Sequence, residues 1–158
     1  MPSSPYAHHL VGRDSIDVMR SSLDDYREAT RRLTPELWQR PWAPGKWTVR
    51  EVIVHVAQWE MILGMRMRCA VAAPDYTVQP FDQDELMRLE GGIADGPTAL
   101  EAFDAVRRMN IAVAASLSAA DRRKRVGHLE YGEIDVEFIL ETIAGHGVHH
   151  WKQIAPLV

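Results

Sequence analysis

Apolar residues recur three and four positions apart along four long stretches of the chain, the spacing that gathers side chains on one face of an α-helix. These stretches cover about residues 15–33, 48–73, 98–117 and 134–155. No segment alternates apolar and polar residues convincingly, as a half-buried strand would. The pattern therefore predicts an all-α protein without a β-sheet.

Several helix ends carry local signals. Thr48 and Glu51 have the spacing of a capping box, in which each side chain hydrogen-bonds to the backbone of the other residue. Pro74 and Pro156 follow the second and fourth stretches, where a helix cannot continue, and Pro97 stands just before the third. The four stretches are thus expected to be four separate helices.

The connections between the predicted helices are of unequal length. Residues 74–97 contain prolines and turn-forming residues, which predicts a long crossover with one short helix near 83–89. Residues 118–133 are expected to form a polar, basic loop, and the first dozen residues to be loosely held. Four helices with long crossovers predict a four-helix bundle, with residues 1–158 forming a single domain.

Composition and charge narrow the class of protein. The chain has 158 residues, 46% hydrophobic and 25% charged, which is an ordinary globular balance. A net charge of −4, with one short basic run at 122–125, argues against nucleic-acid binding. No stretch has the roughly 18 apolar residues of a membrane span, and the N-terminus lacks a secretory pattern. With Cys69 as the single cysteine, we expect a cytoplasmic protein without disulfides.

One histidine falls on the apolar face of the second predicted helix. His55 follows Val52 by three residues and precedes Trp59 by four, so its side chain shares their helical face. That face is the one expected to turn toward the bundle core. His55 is therefore predicted to point inward.

Two further histidines lie on the apolar face of the last predicted helix. Ile139, Ile143, His146, His150 and Ile154 follow one another by three or four residues. His146 and His150 are one turn apart, with Cβ atoms roughly 6 Å from each other, so both imidazoles can reach one ion. A third imidazole from a facing helix would complete the set, and His55 is the one on an inward face.

Three neutral imidazoles and one open position form the ligand set of many catalytic zinc sites. We expect one divalent metal ion, zinc or nickel, with iron, cobalt and manganese left open because imidazole binds them as well. The alternative without a metal is a set of buried histidines satisfied by hydrogen bonds. The catalytic group would be whatever binds the open position, water or a thiol. Side chains that could support the ligands through hydrogen bonds are Glu51, Gln58, Thr142, His149 and Gln153.

Other catalytic patterns are missing from the sequence. The last helix partly follows the zinc-peptidase pattern His-Glu-x-x-His, but Gly147 stands where the general-base glutamate would be. Phosphate-binding glycine loops and serine or cysteine nucleophile motifs are not found either. The carboxylate pairs of di-iron bundles are also missing, which favours one metal ion over two.

Two motifs together resemble a known family. The sequence Gly-Lys-Trp-Thr-Val-Arg-Glu-Val-Ile-Val-His of residues 45–55 and the sequence His-Gly-Val-His-His-Trp-Lys-Gln-Ile of residues 146–154 are similar to signatures of the DinB/YfiT-like superfamily. The resemblance implies a four-helix bundle that binds one divalent metal ion through His55, His146 and His150. An acidic residue often follows the first histidine of the second motif, and here that position is Gly147.

The resemblance implies more than one activity. Some members are transferases or isomerases that use a low-molecular-weight thiol, others are metal-dependent hydrolases, and several are homodimers. Our first hypothesis is a thiol transferase in detoxification or stress response, acting on a small-molecule substrate. The alternatives are a hydrolase that uses metal-bound water and a non-catalytic metal-binding stress protein.

Overall fold

The computed structural model describes residues 1–90 and 94–158. In chain order its helices are α1 (Ser15–Thr30), α2 (Pro35–Trp38), α3 (Val49–Ala72), α4 (Gln83–Glu90), α5 (Gly96–Ser116), α6 (Ala119–Arg122) and α7 (Val136–Ile154). Short 3-10 turns at Ala7–His9 and Ala155–Leu157 flank them. The four long helices are α1, α3, α5 and α7, and α4 is the short helix expected in the crossover. Part of that crossover, residues 91–93, lies outside the described residues.

The long helices form a four-membered ring. Helix α3 packs against α5 and α7, and α1 closes the ring by packing against the same two helices. Apolar side chains of all four fill the centre, among them the fully buried Met19, Met67, Phe103 and Ile143. The predicted four-helix bundle is confirmed, and it places α3 directly beside α7.

The capping box predicted at the second helix is present. Thr48 Oγ1 accepts a hydrogen bond from the Glu51 backbone N–H at 3.2 Å, and a Glu51 carboxylate oxygen accepts one from the Thr48 N–H at 2.8 Å. Aspartates cap three other long helices, with Asp135 accepting from the Phe138 N–H at the start of α7. These local bonds set where α3 and α7 begin, and therefore which residues face the core.

The prediction of a chain without strands is wrong in one region. A small sheet contains β1 (Thr77–Val78), β2 (Arg125–His128) and β3 (Gly132–Asp135), with β1 parallel to β2 and β2 antiparallel to β3. Much of the segment expected to be a loop at 118–133 is therefore α6 and strand. Each strand is so short that one buried residue, such as Val126 or Ile134, carries its apolar side. A period of two cannot be recognised from one residue.

The N-terminal segment lies along α7. The Ser4 and Thr142 hydroxyl oxygens are 2.9 Å apart in a buried hydrogen bond, and Leu10 belongs to the core. That this segment is loosely held in solution stays a prediction. Among the described helices, none has the length and apolar character needed to cross a membrane.

Candidate metal centre

His55 lies in the first half of α3 and is 1% exposed. The ring of Trp47, just before the helix, packs on it with centroids 4.9 Å apart, and Trp59 lies one turn further along at 6.0 Å. The inward orientation predicted for His55 is what the structure shows. Two indole rings therefore shield this imidazole from water.

His146 and His150 lie one turn apart on α7 and are also buried. Their ring centroids are 4.4 Å apart, and the His55 ring is 5.1 Å from His146 and 4.6 Å from His150. One nitrogen from each ring can be chosen so that the three lie within 4.8 Å of one another. The structure thus brings together the three histidines that the sequence selected.

Burial keeps these imidazoles uncharged. Loss of solvent lowers the pKa of His55 to about 3 and that of His150 to about 4, and the pKa of His146 falls well below its usual value. Neighbouring histidines add to each shift, because protonating one ring disfavours protonating the next. At neutral pH the rings therefore hold lone pairs, which is the form that binds metal ions.

The donor set fits a divalent cation. The His55 and His146 Nε2 atoms are 3.1 Å apart. In such a hydrogen bond one nitrogen carries the proton and the other accepts it. His55 Nδ1 is buried, and among the described residues no group hydrogen-bonds to it. No Asp or Glu side chain in the described ranges hydrogen-bonds to the three rings. Neutral acceptors so close together are best compensated by a cation.

Gln153 is the one of the five supporting candidates that hydrogen-bonds directly to the cluster. Its Oε1 is 2.8 Å from His150 Nδ1, so the ring N–H donates to it and Nε2 keeps its lone pair. Its amide nitrogen is also 3.3 Å from a ring nitrogen of His149. His149 lies outside the trio, with its Nδ1 3.3 Å from His9 Nε2.

The other three candidates hydrogen-bond elsewhere. Glu51 forms the cap of α3, and Thr142 bonds to Ser4 and to the Phe138 carbonyl. The Gln58 amide donates to Glu90 and to the Leu86 carbonyl. None of the three contacts the imidazoles through a hydrogen bond.

A buried ion pair next to the cluster was missed at the sequence level. Arg107 Nη2 of α5 is 2.8 Å from Glu60 Oε2 of α3, and both side chains are almost fully buried. A signal was available, because Arg107 follows the inward Phe103 by four residues and Glu60 follows the inward Val56 by four. Charged residues at inward positions indicate a buried pair.

The same arginine lies directly against Gly147. A Cβ at this position would lie 2.7 Å from Arg107 Nη2, closer than a carbon and a nitrogen can pack. The Gly147 carbonyl also accepts a hydrogen bond from the Tyr26 hydroxyl at 3.1 Å. A side chain at position 147 would therefore require the Arg107 guanidinium to shift from its place beside Glu60.

A four-helix bundle with three buried histidines on facing helices defines a class of candidate metal-binding proteins. The family model described as "DinB superfamily" matches residues 19–154, and the chain belongs to this superfamily.

Curated relatives carry names that refer to metals. A protein of Bacillus mycoides (strain KBAB4) named "Putative metal-dependent hydrolase" is 26% identical over 151 residues, covering 93% of this chain and 87% of that protein. A protein of Bacillus cereus (strain B4264) with the same general name is 24% identical, with the same coverage. The chain is therefore similar along most of its length to proteins named for a metal-dependent activity.

Solved structures share the fold. YfiT from Bacillus subtilis, described as a "probable metal-dependent hydrolase with an unusual four-helix bundle topology", superposes with a TM-score of 0.81 at 22% identity, covering 90% of this chain and 83% of that one. A mycothiol-dependent maleylpyruvate isomerase superposes with a TM-score of 0.73 at 15% identity, covering 98% of this chain and 63% of that one. At these identities the likeness shows the fold alone.

Proposed function

We propose that this protein binds one divalent metal ion through His55, His146 and His150 and transfers a small thiol to electrophilic substrates. The observation that carries the proposal is the buried cluster of three neutral imidazoles, whose nitrogens approach within 4.8 Å. Three imidazoles leave a coordination position for a further ligand. Zinc and nickel suit this donor set, with iron, cobalt and manganese as alternatives.

The metal ion, when bound, would hold the thiol sulfur as a thiolate, which is the nucleophilic form. The residues of this chain would bind the metal ion and orient its ligands. The three imidazoles are the donors, and Gln153 keeps His150 in the tautomer whose Nε2 is free to bind. Trp47, packed on His55, limits the access of water from that side.

In the described ranges no carboxylate hydrogen-bonds to the three imidazoles, and this favours a thiol over water as the reacting group. Hydrolysis benefits from a general base beside the attacking water. Glu60 follows His55 by five residues on α3 and has a buried carboxylate, but Arg107 already pairs with it. A thiol is far more acidic than water and needs no such base. The thiol dependence of one structural neighbour agrees with this choice.

Hydrolysis is the second candidate. Relatives named as metal-dependent hydrolases support it, as does the position of His149. Burial and nearby cationic groups lower the pKa of His149, so its ring is neutral at physiological pH and can accept a proton. Gln153 links this ring to His150 by hydrogen bonds.

The test compares the two reactions in one preparation. Protein purified without an affinity tag is analysed for metals and loaded with zinc or nickel. It is then assayed with cysteine, glutathione or mycothiol against a panel of electrophiles, and with nitrophenyl esters and anilides. Thiol-dependent turnover lost in His55→Ala and kept in the surface variant His8→Ala supports the proposal. Hydrolysis alone selects the second candidate, and bound metal without any turnover indicates a non-catalytic stress protein.

The proposal also covers the domain organisation, the location and the oligomeric state of the protein. We propose that residues 1–158 fold as one domain, located in the cytoplasm, where small thiols stay reduced. The family resemblance suggests a homodimer. A single unfolding transition and a dimer mass in sedimentation equilibrium are the expected results, and two separate transitions would contradict the single domain.

A further inference from the structure

Arg66, in the second half of α3, is a buried cation with no ion-pair partner among the described residues. The residue is 8% exposed, and its Nη2 donates a hydrogen bond to the Gln79 backbone carbonyl at 2.8 Å. Its guanidinium carbon lies 5.3 Å from the Phe81 ring centre and 6.0 Å from that of Trp59. In the described part of the chain, no carboxylate forms an ion pair with Arg66. Burying an unpaired charge costs free energy, so a partner is expected.

This arginine lines a cavity of about 410 Å³ between the bundle and the small sheet. The walls are mostly apolar and include Leu63, Phe81, Ile134, Phe138 and Ile139. This volume lies in the range of small-molecule sites, and such sites combine apolar walls with a few fixed polar groups.

Two ionisable residues of the sheet region also line the cavity. His128 Nδ1 accepts hydrogen bonds from the backbone N–H groups of Glu130 and Tyr131, so its remaining nitrogen carries the proton and can donate. Glu130 is exposed at the rim and makes no ion pair with Arg66. Arg66 and His128 therefore both offer N–H donors to the cavity, which suits an anionic ligand.

The cavity adjoins the histidine cluster. Tyr6 and Trp59 line it, and the same two rings contact His146 with centroids 5.4 and 5.2 Å away. Because Trp59 touches both groups, the Arg66 guanidinium carbon is no more than about 11 Å from the centre of the His146 ring. A small organic molecule can span that distance.

We propose that this cavity binds a small carboxylic acid with an apolar body, and that the Arg66 guanidinium holds the carboxylate. A guanidinium matches the two oxygens of a carboxylate with parallel hydrogen bonds, and the aromatic walls accept the apolar body. A phosphate, with more charge and more oxygens, would call for further cationic groups. That the acid is the substrate of the metal centre rests on the proposed function, whereas binding of the acid does not.

The test measures binding to the metal-free protein by titration calorimetry. The probes are 3-phenylpropionate and 4-phenylbutyrate, their neutral amides, and phenyl phosphate. We expect each acid to bind about tenfold or more tightly than its amide. Arg66→Met should remove this preference, and Arg66→Lys should keep part of it. Arg20→Met, which changes an exposed arginine of α1, should leave it intact. The ratio of acid to amide affinity is compared within each variant, so a change in stability cancels.

Several results would overturn the assignment. They are equal affinity for acid and amide, no binding of any probe, a preference that survives in Arg66→Met, and tighter binding of phenyl phosphate. In metal-loaded protein, Arg66→Met should raise KM for electrophiles that carry a carboxylate and leave KM for their amides unchanged. If no turnover is found but the acid preference depends on Arg66, the proposed function fails while the acid site stands.

Discussion

Two buried polar clusters lie side by side in this bundle, and they are compensated in opposite ways. The ion-pair cluster consists of Arg107, Glu60 and Asn110, and the histidine cluster of His55, His146 and His150. Helix α3 contributes to both. In the ion-pair cluster the charges of Arg107 and Glu60 neutralise each other, whereas the histidine cluster contains several uncharged ring nitrogens that accept hydrogen bonds or bind a cation.

The ion-pair cluster contains its own compensation. Glu60 receives the Arg107 guanidinium at 2.8 Å and the Asn110 amide at 2.7 Å, so its two carboxylate oxygens both have partners. Arg107 also donates to Ser22 and to the Ile143 carbonyl. Among the described residues Arg107 Nε is buried without a hydrogen-bond partner, but the opposite charges of Arg107 and Glu60 compensate each other. The effect of this network is to hold α3, α5 and α7 in register.

The polar atoms of the histidine cluster do not compensate one another in this way. Its imidazoles face one another, the His55 Nδ1 atom is buried without a partner in the described residues, and Gln153 is the one side chain that orients a ring from outside. A balanced polar cluster is expected in a structural role, and an unbalanced one where a ligand completes it. The experiments below test this distinction.

Removing one imidazole should have the largest effect. His146→Ala leaves two of the three proposed ligands, and we expect metal content to fall from about one ion per chain to almost none by elemental analysis. His9→Ala is the matched control, because His9 hydrogen-bonds to His149 and lies outside the trio. Full metal content in His146→Ala would contradict the assignment of this ligand.

Removing the cation of the ion-pair cluster should mainly affect stability. Arg107→Met leaves the Glu60 carboxylate buried without its partner, and we expect the free energy of unfolding in urea to fall by about 3–5 kcal/mol. The double variant with Glu60→Met should recover most of this loss and keep the metal. The exposed pair of Arg20 and Asp17 gives the reference, since Arg20→Met should cost less than about 1 kcal/mol.

Acid should destabilise the metal-free protein through the histidine cluster. The unfolded chain takes up protons on its histidines below pH 6.5, whereas the folded protein keeps the pKa of His150 near 4 and that of His55 near 3. The unfolded state thus binds more protons between these values, and stability falls as the pH drops from 6.5 toward 4. The urea midpoint measured against pH should show this slope. A variant with His55→Leu and His150→Leu should have a shallower one, and an unchanged slope would contradict the neutral state of these rings.

Removing the orienting side chain should have the smallest effect of the four. Gln153→Ala frees His150 to rotate and change tautomer, and we expect zinc affinity to fall about 10–100-fold in competition with a chelator. Gln58→Ala is the matched control, because this buried glutamine donates to Glu90 and has no hydrogen bond to the cluster. Equal losses in the two variants would mean that Gln153 acts through the packing of the core alone.

The sequence determined the helices and the candidate ligands because both depend on local spacing. An interval of three or four residues decides which side of a helix a residue occupies, and Thr48 with Glu51 marks where α3 begins. The inward position of His55, His146 and His150 followed from these intervals, and two family motifs agreed with it.

Contacts between distant segments were decided by the tertiary structure. The strands are too short for a period of two to be recognised. The pairing of Val126 with Ile134 joins two segments, and nothing in their sequences predicts that they pair. The cavity of Arg66 exists because this sheet lies against α3 and α7, and the partner of Arg107 depends on how α5 packs on α3. Periodicity assigns a residue to a face of its own helix, but the group opposite that face depends on how the whole chain packs.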